Sequence, residues 1–513
     1  MSAGPDPLRA PRRNRSRPPL LADALAAALD RAATGTLAQQ LGEQLRRLIA
    51  DGRLRPGQRL PASRQLAAEL QLGRNTVIEA YNRLADQGYL DTRTGAGCFV
   101  ADPVPPYEMP AAAPMSPPAP ATGTGPRPGA TGLSRRGAAV LREPGIAQGG
   151  AFAPCVPDLQ HFPHRHWQRL VAQVWRGSRA SDLGYAGRGG DPQLRRLIAE
   201  HVQLTRQVRC TPEQVLIVDG AQQGLDLVAR FAADPGALAW VEDPGYPGAR
   251  RAFAAAGLRM CPIPVDAQGL APQDSDWHEP PQLVYVTPSH QFPLGVEMDV
   301  ARRRALLAAA ARHGSWIVED DYDGEFRLSG APVPSLQGLD TADRVIYVGT
   351  FSKVLFPALR LGYLVLPPAL AEPFVGASAR LLLQGRQPEQ RALAAFIGEG
   401  LFAAHIRRMR QVYAERRDRL AQVWQRELGE AAPLLGTTTG MHLSVPLPMA
   451  IDDRALGAQA AAQGIVAQAL SHFSALDRCR GLVLGYGAAH ERAIDAQGAA
   501  LARLVADTLT AQR

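Results

Sequence analysis

The chain has 513 residues, of which 46% are hydrophobic and 20% charged, and its formal net charge is +8. This length and composition exclude a single small core and predict a globular protein of two or more domains. No apolar run reaches the roughly 18 residues of a membrane span, and none follows the N-terminal arginines as it would in a signal peptide.

The positive charge lies mainly in the first hundred residues. Residues 1–100 contain 15 arginines and 9 acids, a net charge of +6, whereas the rest of the chain contains 41 basic and 39 acidic residues, a net charge of +2. This asymmetry favours a nucleic-acid-binding head on a nearly neutral body, although a solvated basic surface would give the same counts. The arginines between residues 9 and 17 are interpreted as a disordered tail in preference to an arm on the DNA backbone.

Helical and strand-like patterns alternate between residues 30 and 100. The stretch LAQQLGEQLRRLIADGRL has helical spacing and ends before RPGQ. Ser63 is expected to cap a short helix through Leu70, and Gly73 is expected to take a positive φ in the turn that follows. A second helix begins near Arg74, and YLDTRTGAGCFV predicts two short strands joined by a glycine-rich turn. Helix, turn, helix and β-wing make a winged helix-turn-helix.

The string LPASRQLA…GRNTVIEAYNRL…GYL…GAG resembles the GntR family of bacterial regulators. The resemblance implies a domain over residues 30–100 that binds double-stranded promoter or operator DNA, with protein contacts as the alternative use of such a domain. Arginines and helix N-terminal N–H groups suit phosphates, and short polar side chains there reach base edges. The residues that the resemblance places at the DNA are Arg64, Arg74, Asn75 and Thr76 at two helix starts, and Gly95 and Gly97 at the wing tip.

Residues 101–147 are dominated by proline, alanine and glycine. Such a stretch cannot bury enough apolar surface to offset its ordering entropy, so a linker is predicted there, followed by a second domain over residues 148–513. In that domain the strand-like runs QVLIVDG, LAWVED, QLVYVTP, SWIVEDD and RVIYVGT alternate with longer helical segments. The alternation predicts an α/β fold with a mostly parallel sheet covered on both faces.

The chain contains a single lysine, Lys353, and its other 55 basic residues are arginine. Lys353 follows the strand RVIYVG, at the C-terminal end of a predicted parallel strand, where α/β sheets place ligand sites. A lysine amine can form a Schiff base with an aldehyde cofactor, whereas the delocalised guanidinium of arginine cannot. The sequence therefore favours a pyridoxal phosphate (PLP) site over a chance surface lysine.

Other residues fit the remaining needs of that cofactor. Asp320 is expected at the ring nitrogen and Tyr322 at the phenolic oxygen, although spacing alone leaves open which of Glu319, Asp320 and Asp321 points inward. Tyr246, in EDPGYPG, is expected to stack on the ring. The predicted phosphate donors are Arg360, Thr350, Ser352 and the backbone N–H groups of Gly220, Ala221 and Gln222.

The order of these segments resembles the fold-type I aminotransferases. It resembles more closely the MocR-type regulators, which join a GntR-like head to an aminotransferase-like domain; the strings include GAQQGLDL, VEDPGYPGAR, VTPSHQFPLG, VEDDYDGEFR and YVGTFSKVLFPALRLGY. The resemblance implies a smaller C-terminal α+β subdomain, pyridoxal 5'-phosphate on Lys353, a small-molecule effector and a head-to-tail homodimer in the cytoplasm. Five scattered cysteines without metal-type spacing fit reduced thiols there.

Three positions depart from the aminotransferase pattern. Phe292 stands where such enzymes have an asparagine, and Gly248 stands where some amino-acid-sensing relatives have a second arginine. Val483 aligns with the carboxylate-binding arginine of a late strand, and Arg478 and Arg480 lie close by in the sequence as alternatives. If both arginines are absent, no bidentate carboxylate clamp is evident, and the pattern then disfavours transamination and the sensing of a GABA-like amino acid. It favours a regulator that senses a small molecule, PLP itself before an amine or amino acid. An active aminotransferase with a vestigial DNA-binding head is the alternative.

Overall fold

The computed structural model describes residues 35–93, 97–104, 133–143, 145–146, 149–184, 188–330, 333–382 and 385–511, with residues 21, 25, 29 and 30 before them. The chain divides into two compact units, Met1–Gly125 and Pro126–Arg513. The arginines between residues 9 and 17 and much of the predicted linker lie outside the described residues. Among the described helices, none has the length and apolar character needed to cross a membrane.

Between residues 35 and 104, the described part of the N-terminal unit has three helices packed into one core and a two-stranded ribbon. Its elements are α1 (Leu37–Ala50), α2 (Ser63–Leu70), α3 (Arg74–Asp86), β1 (Leu90–Arg93) and β2 (Gly97–Val100). The apolar faces of the helices are buried together, and the two strands pair antiparallel. The predicted helix-turn-helix with a β-wing is therefore present.

Two local predictions in this unit were wrong. Ser63 is the first residue of α2, and the residue before it, Ala62, makes no side-chain capping hydrogen bond. Gln71, not Gly73, takes the left-handed conformation (φ +54°), whereas Gly73 has φ −66°. Gln71 ends α2, because a residue in the left-handed conformation turns the chain away from the helix axis.

The C-terminal unit is built on an eight-stranded sheet. Its strands are β3 (Val215–Val218), β4 (Leu238–Asp243), β5 (Arg259–Asp266), β6 (Gly269–Leu270), β7 (Leu283–Val286), β8 (Trp316–Asp321), β9 (Val345–Thr350) and β10 (Gly362–Val365). Their order is β3-β10-β9-β8-β7-β4-β5-β6, with β10 and β6 antiparallel to their neighbours and the other pairs parallel. All five predicted strand runs are strands, and the mostly parallel α/β sheet is confirmed.

Helices cover both faces of this sheet, since successive strand residues are buried in different apolar clusters on opposite sides. The helices up to the C-terminal subdomain are α4 (Arg135–Arg142), α5 (His164–Gly177), α6 (Pro192–Arg206), α7 (Ala221–Phe231), α8 (Pro247–Ala256), α9 (Val300–His313), α10 (Leu336–Leu339), α11 (Pro368–Leu382), α12 (Gln387–Gly398) and α13 (Leu401–Leu428). The first of them, α4, lies inside the stretch predicted as linker and packs against α8. The Pro, Ala and Gly content of residues 101–147 did not reveal that helix.

The chain ends in the small α+β subdomain that the resemblance implied. Its elements are β11 (His442–Leu447), α14 (Asp453–Ala462), β12 (Gln468–Ala469), β13 (Arg480–Gly485) and α15 (Glu491–Thr510). The strands form an antiparallel sheet in the order β11-β13-β12, and α15 packs along α13. The buried core is continuous from the large sheet into this subdomain.

Candidate functional site

A cavity of about 380 Å³ lies at the C-terminal ends of the strands of the large sheet. Its walls come from the segments that follow β3, β4, β7, β8 and β9, because parallel strands bring their carboxyl ends to one edge. All ten cofactor-site residues predicted from the sequence line it: Lys353, Asp320, Tyr322, Tyr246, Gly220, Ala221, Gln222, Thr350, Ser352 and Arg360.

One end of the cavity has the features of an anion site. Gly220 is the N-cap of α7 with φ +82°, so the first N–H groups of that helix open toward the cavity. A Cβ at Gly220 would lie 4.0 Å from Oγ of Ser352, and the N–H of Ser352 donates to Oγ1 of Thr350 at 3.2 Å. Arg360 lines the same cavity from the short turn before β10. Helix N–H groups, two hydroxyls and a guanidinium together suit a phosphate.

The three neighbouring acids at the end of β8 have different environments. Both oxygens of Glu319 accept from the first N–H groups of α10, at 2.8 and 2.9 Å. Asp321 forms a buried ion pair with Arg206 at 2.5 Å. Asp320 alone of the three lines the cavity, because alternate residues of a strand point to opposite faces. The choice that spacing left open is made by the packing of the two faces.

The two carboxylate oxygens of Asp320 differ in their hydrogen bonding. The hydroxyl of Tyr285 donates to Oδ2 at 2.8 Å, whereas Oδ1 is buried and has no hydrogen-bond partner among the described residues. Burial raises the pKa of this carboxyl to about 7. A buried acceptor in this state fits a protonated ring nitrogen, which would supply the missing donor and favour the ionised carboxylate. The residues present therefore fit PLP.

A second polar group includes Tyr322, which lines the cavity. The hydroxyl oxygen of Tyr322 is 3.0 Å from Nδ1 of His290, and that nitrogen is 3.0 Å from Oδ2 of Asp323. All three residues are buried, and burial holds the pKa of the Tyr322 hydroxyl well above its usual range. Phe292 also lines the cavity, edge-on to Tyr246 at 5.9 Å between ring centroids. The sequence reasoning left Tyr322 alone at the phenolic oxygen and missed His290 and Asp323.

His290, Asp323 and His442 have potential metal-ligand atoms within 4.8 Å of one another. Nδ1 of His290 is already within hydrogen-bonding distance of Asp323 and Tyr322, and Nε2 of His442 lies 3.0 Å from the carbonyl oxygen of Pro293. Burial holds the pKa of His442 well below its usual range, so that ring is neutral. The geometry is that of a hydrogen-bonded network beside the cavity.

Several other lining residues were not identified from the sequence. Arg251 reaches the cavity from α8, and Thr287 lines it while its hydroxyl donates to buried Glu242 at 2.6 Å. The chain between α4 and α5 contributes apolar walls through Ile146 and the segment 154–156. A sequence signal existed for Arg251, since it lies one helical turn beyond Gly248 on the same helix.

The positions expected to carry a carboxylate clamp contribute no cation. Val483 is buried in β13 and packs in one cluster with Phe292 and Tyr322. Arg480 pairs with Asp477 at 2.7 Å and does not line the cavity. The late-strand arginine of the aminotransferase pattern has no substitute at this place among the described residues.

The predicted DNA contacts cluster at the helix starts and the wing of the N-terminal unit. Arg64, Arg74 and Asn75 are exposed and Thr76 is half-buried. The N-cap of α3 is a glycine without a side-chain cap, which leaves the helix start open to a phosphate. Gly97 is exposed with φ +111°, whereas Gly95 lies outside the described residues. The guanidinium of Arg59 lies against Gly97 and adds a basic group that was not predicted.

Two family models match the chain. Residues 37–100 match the gntR family of bacterial regulatory proteins, and residues 157–492 match aminotransferase class I and II. The probable rhizopine catabolism regulatory protein MocR of Rhizobium meliloti is 41% identical over 468 residues, covering 89% of this chain and 91% of that protein. The pyridoxine biosynthesis transcriptional regulator PdxR of Corynebacterium glutamicum is 33% identical, covering 88% and 92%.

Solved aminotransferases share the fold of the C-terminal unit. The α-aminoadipate aminotransferase LysN of Thermus thermophilus, complexed with N-(5'-phosphopyridoxyl)-L-leucine, is similar with a TM-score of 0.66 at 27% identity, over 75% of this chain and 99% of that one. The kynurenine aminotransferase of Pyrococcus horikoshii is similar with a TM-score of 0.64 at 26% identity, over 72% and 92%.

Proposed function

The chain belongs to the MocR-type regulators of the GntR family, and from this premise we propose that occupancy of its cavity controls promoter binding by its head. It is a DNA-binding transcription regulator with an aminotransferase-like, PLP-binding effector domain. The effector is PLP itself, or an amine or amino acid that reaches the cofactor. A ligand shifts such an equilibrium only by its differential affinity for the two states of the protein.

We assign the cofactor contacts as follows. Lys353 supplies the amine that holds the cofactor, Asp320 keeps its ring nitrogen protonated, and Tyr322 donates to its phenolic oxygen. Tyr246 covers one face of the ring. The bound cofactor supplies an aldehyde carbon that reacts reversibly with amines. The phosphate is held by Arg360, Thr350, Ser352 and the N–H groups of Gly220, Ala221 and Gln222.

The assignment rests on one observation: Oδ1 of Asp320 is buried and has no hydrogen-bond partner among the described residues. A buried carboxylate oxygen without a donor is costly, and Asp320 lines the cavity that also contains the only lysine of the chain. The known occupants of this fold carry a ring nitrogen that supplies such a donor. The chemistry of the cavity and the family together support its assignment as the cofactor site.

The head is assigned DNA contacts at Arg64, Arg74, Asn75 and Thr76 of two helix starts and, as predicted from the sequence, at Gly95 and Gly97. The family arrangement further supports a head-to-tail homodimer. Sedimentation of the full-length protein at several concentrations tests the dimer, and a monomer at micromolar concentration contradicts it.

The experiment that tests the proposed function uses the full-length protein and the DNA upstream of its own gene. Binding is measured with the cofactor-free protein, after addition of PLP, and after addition of PLP with amines or amino acids. A change with PLP alone identifies a PLP sensor, and a further change with an amine identifies an amine sensor. DNA affinity that is the same in all three states contradicts the proposal.

Lys353→Ala is compared with the wild type in two assays, one of DNA binding and one of turnover. The variant is expected to lose the response to amines, because no other side chain in the chain offers a primary amine to the aldehyde. Steady conversion of an amino acid and a keto acid by the wild type, abolished in this variant, would instead support the aminotransferase alternative. The turnover assay contains no DNA, so the two outcomes are independent.

A further inference from the structure

Tyr285 lines the cavity, and none of the assigned cofactor contacts uses it. Its hydroxyl donates to Oδ2 of Asp320 at 2.8 Å, and both side chains are buried. The other oxygen of that carboxylate, Oδ1, is buried and has no hydrogen-bond partner among the described residues. Tyr285 is therefore the hydrogen-bond donor that makes the two oxygens of Asp320 different.

The packing of β7 fixes where this hydroxyl can reach. Tyr285 is only 1% exposed, and its ring packs in the same apolar cluster as Phe253, edge-on at 6.3 Å between ring centroids. On the neighbouring strand β8, the residue opposite Tyr285 is Val318, and Asp320 lies two residues further on, so both point to the same face of the sheet as Tyr285. The hydroxyl accordingly meets Asp320 and not the acids on either side of it.

The hydrogen bond from Tyr285 also acts on the charge of Asp320. Burial raises the pKa of this carboxyl to about 7, and the hydrogen bond opposes that rise, because a donor stabilises the ionised form. Burial holds the pKa of the Tyr285 hydroxyl well above its usual range, so this group keeps its proton and stays a donor. A less basic carboxylate leaves a shared proton on a ring nitrogen paired with it, whereas a more basic carboxylate takes that proton for itself.

We infer that Tyr285 is a positioning residue for the cofactor. It holds Oδ2 of Asp320, so that Oδ1 is the oxygen left for the ring nitrogen, and it keeps the proton of that pair on the nitrogen. A protonated ring nitrogen withdraws electrons from the aldehyde carbon, so Tyr285 also affects how readily the cofactor takes up an amine. This inference rests on the proposed function, since it requires PLP in this cavity.

The test compares two ligands that differ only at the ring nitrogen. PLP and its 1-deaza analogue, in which a C–H group replaces that nitrogen, are titrated into the cofactor-free full-length protein, and binding is followed by tryptophan fluorescence. The wild type is expected to bind PLP about tenfold to hundredfold more tightly than the analogue, because only PLP gives Oδ1 a donor. Tyr285→Phe removes the hydroxyl but keeps the ring in its cluster, and it is expected to reduce this ratio about fivefold or more.

A spectroscopic measurement separates positioning from packing. The ring nitrogen of ¹⁵N-labelled PLP gives a signal whose chemical shift reports whether that nitrogen is protonated. In Tyr285→Phe the signal is expected to move toward that of the unprotonated ring. A purely structural loss of packing would lower the affinity and leave the chemical shift unchanged, and this result would overturn the inference.

The matched control is Tyr347→Phe. Tyr347 is equally buried on β9 and donates to the neighbouring Asp321, but it is not among the described residues that line the cavity, so the wild-type ratio and chemical shift are expected to remain. A ratio in Tyr285→Phe equal to that of the wild type would overturn the inference, and so would an equal loss of affinity for both ligands. A wild type that binds neither ligand would contradict the proposed function itself, and the inference with it.

Discussion

Nδ1 of His290 lies 3.0 Å from the hydroxyl oxygen of Tyr322, at the edge of the cavity. The same nitrogen lies 3.0 Å from a carboxylate oxygen of Asp323, which favours the tautomer with its proton on Nδ1. An Nδ1 that carries this proton has no lone pair to accept a hydrogen bond from Tyr322, so the hydroxyl hydrogen of Tyr322 is free to point into the cavity. The pair thus presents Tyr322 as a donor, although Phe292 occupies the place of the expected asparagine.

Replacing Tyr322 with Phe is expected to raise the pH midpoint of the bound cofactor's visible absorbance change, because a donor to the ionised phenolic oxygen is lost. His290→Asn is expected to move the midpoint in the same direction by a smaller amount, since the donor remains but loses its orientation. The measurement is a pH titration of absorbance for the PLP-loaded protein. A midpoint unchanged in both variants would show that neither residue acts on that oxygen.

Relative to Asp320→Asn, the cofactor-free wild type is expected to lose stability as pH rises from about 4 to about 7. The pKa of Asp320 is raised by burial from 3.8 to about 7, so the unfolded chain releases this proton first and the folded state is disfavoured as pH increases. Urea unfolding at a series of pH values measures the effect. The comparison with Asp320→Asn isolates this carboxyl, because the other buried groups are the same in both proteins. Among these, burial raises the pKa of Glu242 and Glu319 to about 7 and lowers the pKa of His405 to about 4, so their contributions have opposite signs.

Equal slopes for the wild type and Asp320→Asn would contradict the raised pKa of Asp320. Saturating PLP is expected to flatten the wild-type slope, because the ring nitrogen supplies Oδ1 with a donor and stabilises the ionised form. Asp320→Asn should gain less stability from PLP than the wild type.

The ion pair between Glu143 and Arg250 joins the chain that follows α4 to the helix that carries Arg251. Shortly after Glu143 in the chain, Ile146 already lines the cavity. Glu143→Gln is therefore expected to reduce the effect of PLP or amines on DNA affinity, while PLP binding and ligand-free DNA binding stay unchanged. Such couplings typically amount to about 5-fold to 150-fold in affinity, so loss of most of the factor is measurable.

The control for this variant is Asp226→Asn, which breaks the more exposed Arg230–Asp226 pair on α7 and should leave the coupling intact. If Glu143→Gln responds to ligands as the wild type does, signal transfer does not depend on this pair.

Arg74→Ala is expected to weaken binding to all DNA sequences, as for a lost phosphate contact. The slope of log affinity against log salt concentration is expected to become shallower by about 1. Thr76→Ala is expected to change the preference among sequences, because a short polar side chain at a helix start reaches base edges. Arg83→Ala, at the other end of α3, is the control. Titrations of labelled operator and unrelated DNA at several salt concentrations measure both effects. Undiminished binding by a variant that carries both Arg74→Ala and Thr76→Ala would contradict the assignment.

Much of the fold could be predicted because its signals are local. The strand runs around β3, β4, β7, β8 and β9 are short, apolar and separated by helical periods, which is sufficient to indicate a parallel α/β sheet. The ten residues predicted for the cofactor site line one cavity because parallel strands end at one edge, where residues far apart in sequence meet. The helix α4 was missed because the linker was predicted from the overall Pro, Ala and Gly content of residues 101–147, which averages over the helical stretch within them.

The contacts between distant segments could not be predicted in this way. His290 and Asp323 are 33 residues apart, and their meeting depends on how the chain after β7 folds over the end of β8. Arg250 and Arg251 are adjacent and chemically identical, yet one is bound in the core and the other faces the cavity. Nothing in the local pattern distinguishes them.

The sequence by itself determined the order of the elements, the winged helix, the edge of the sheet that holds the site, and the one amine able to hold an aldehyde. Only the tertiary structure decided which of three neighbouring acids faces the cavity and which of two arginines does. The physical reason is that the periods of strands and helices fix how side chains point relative to one another within an element. The absolute direction is set only when each element packs against the others.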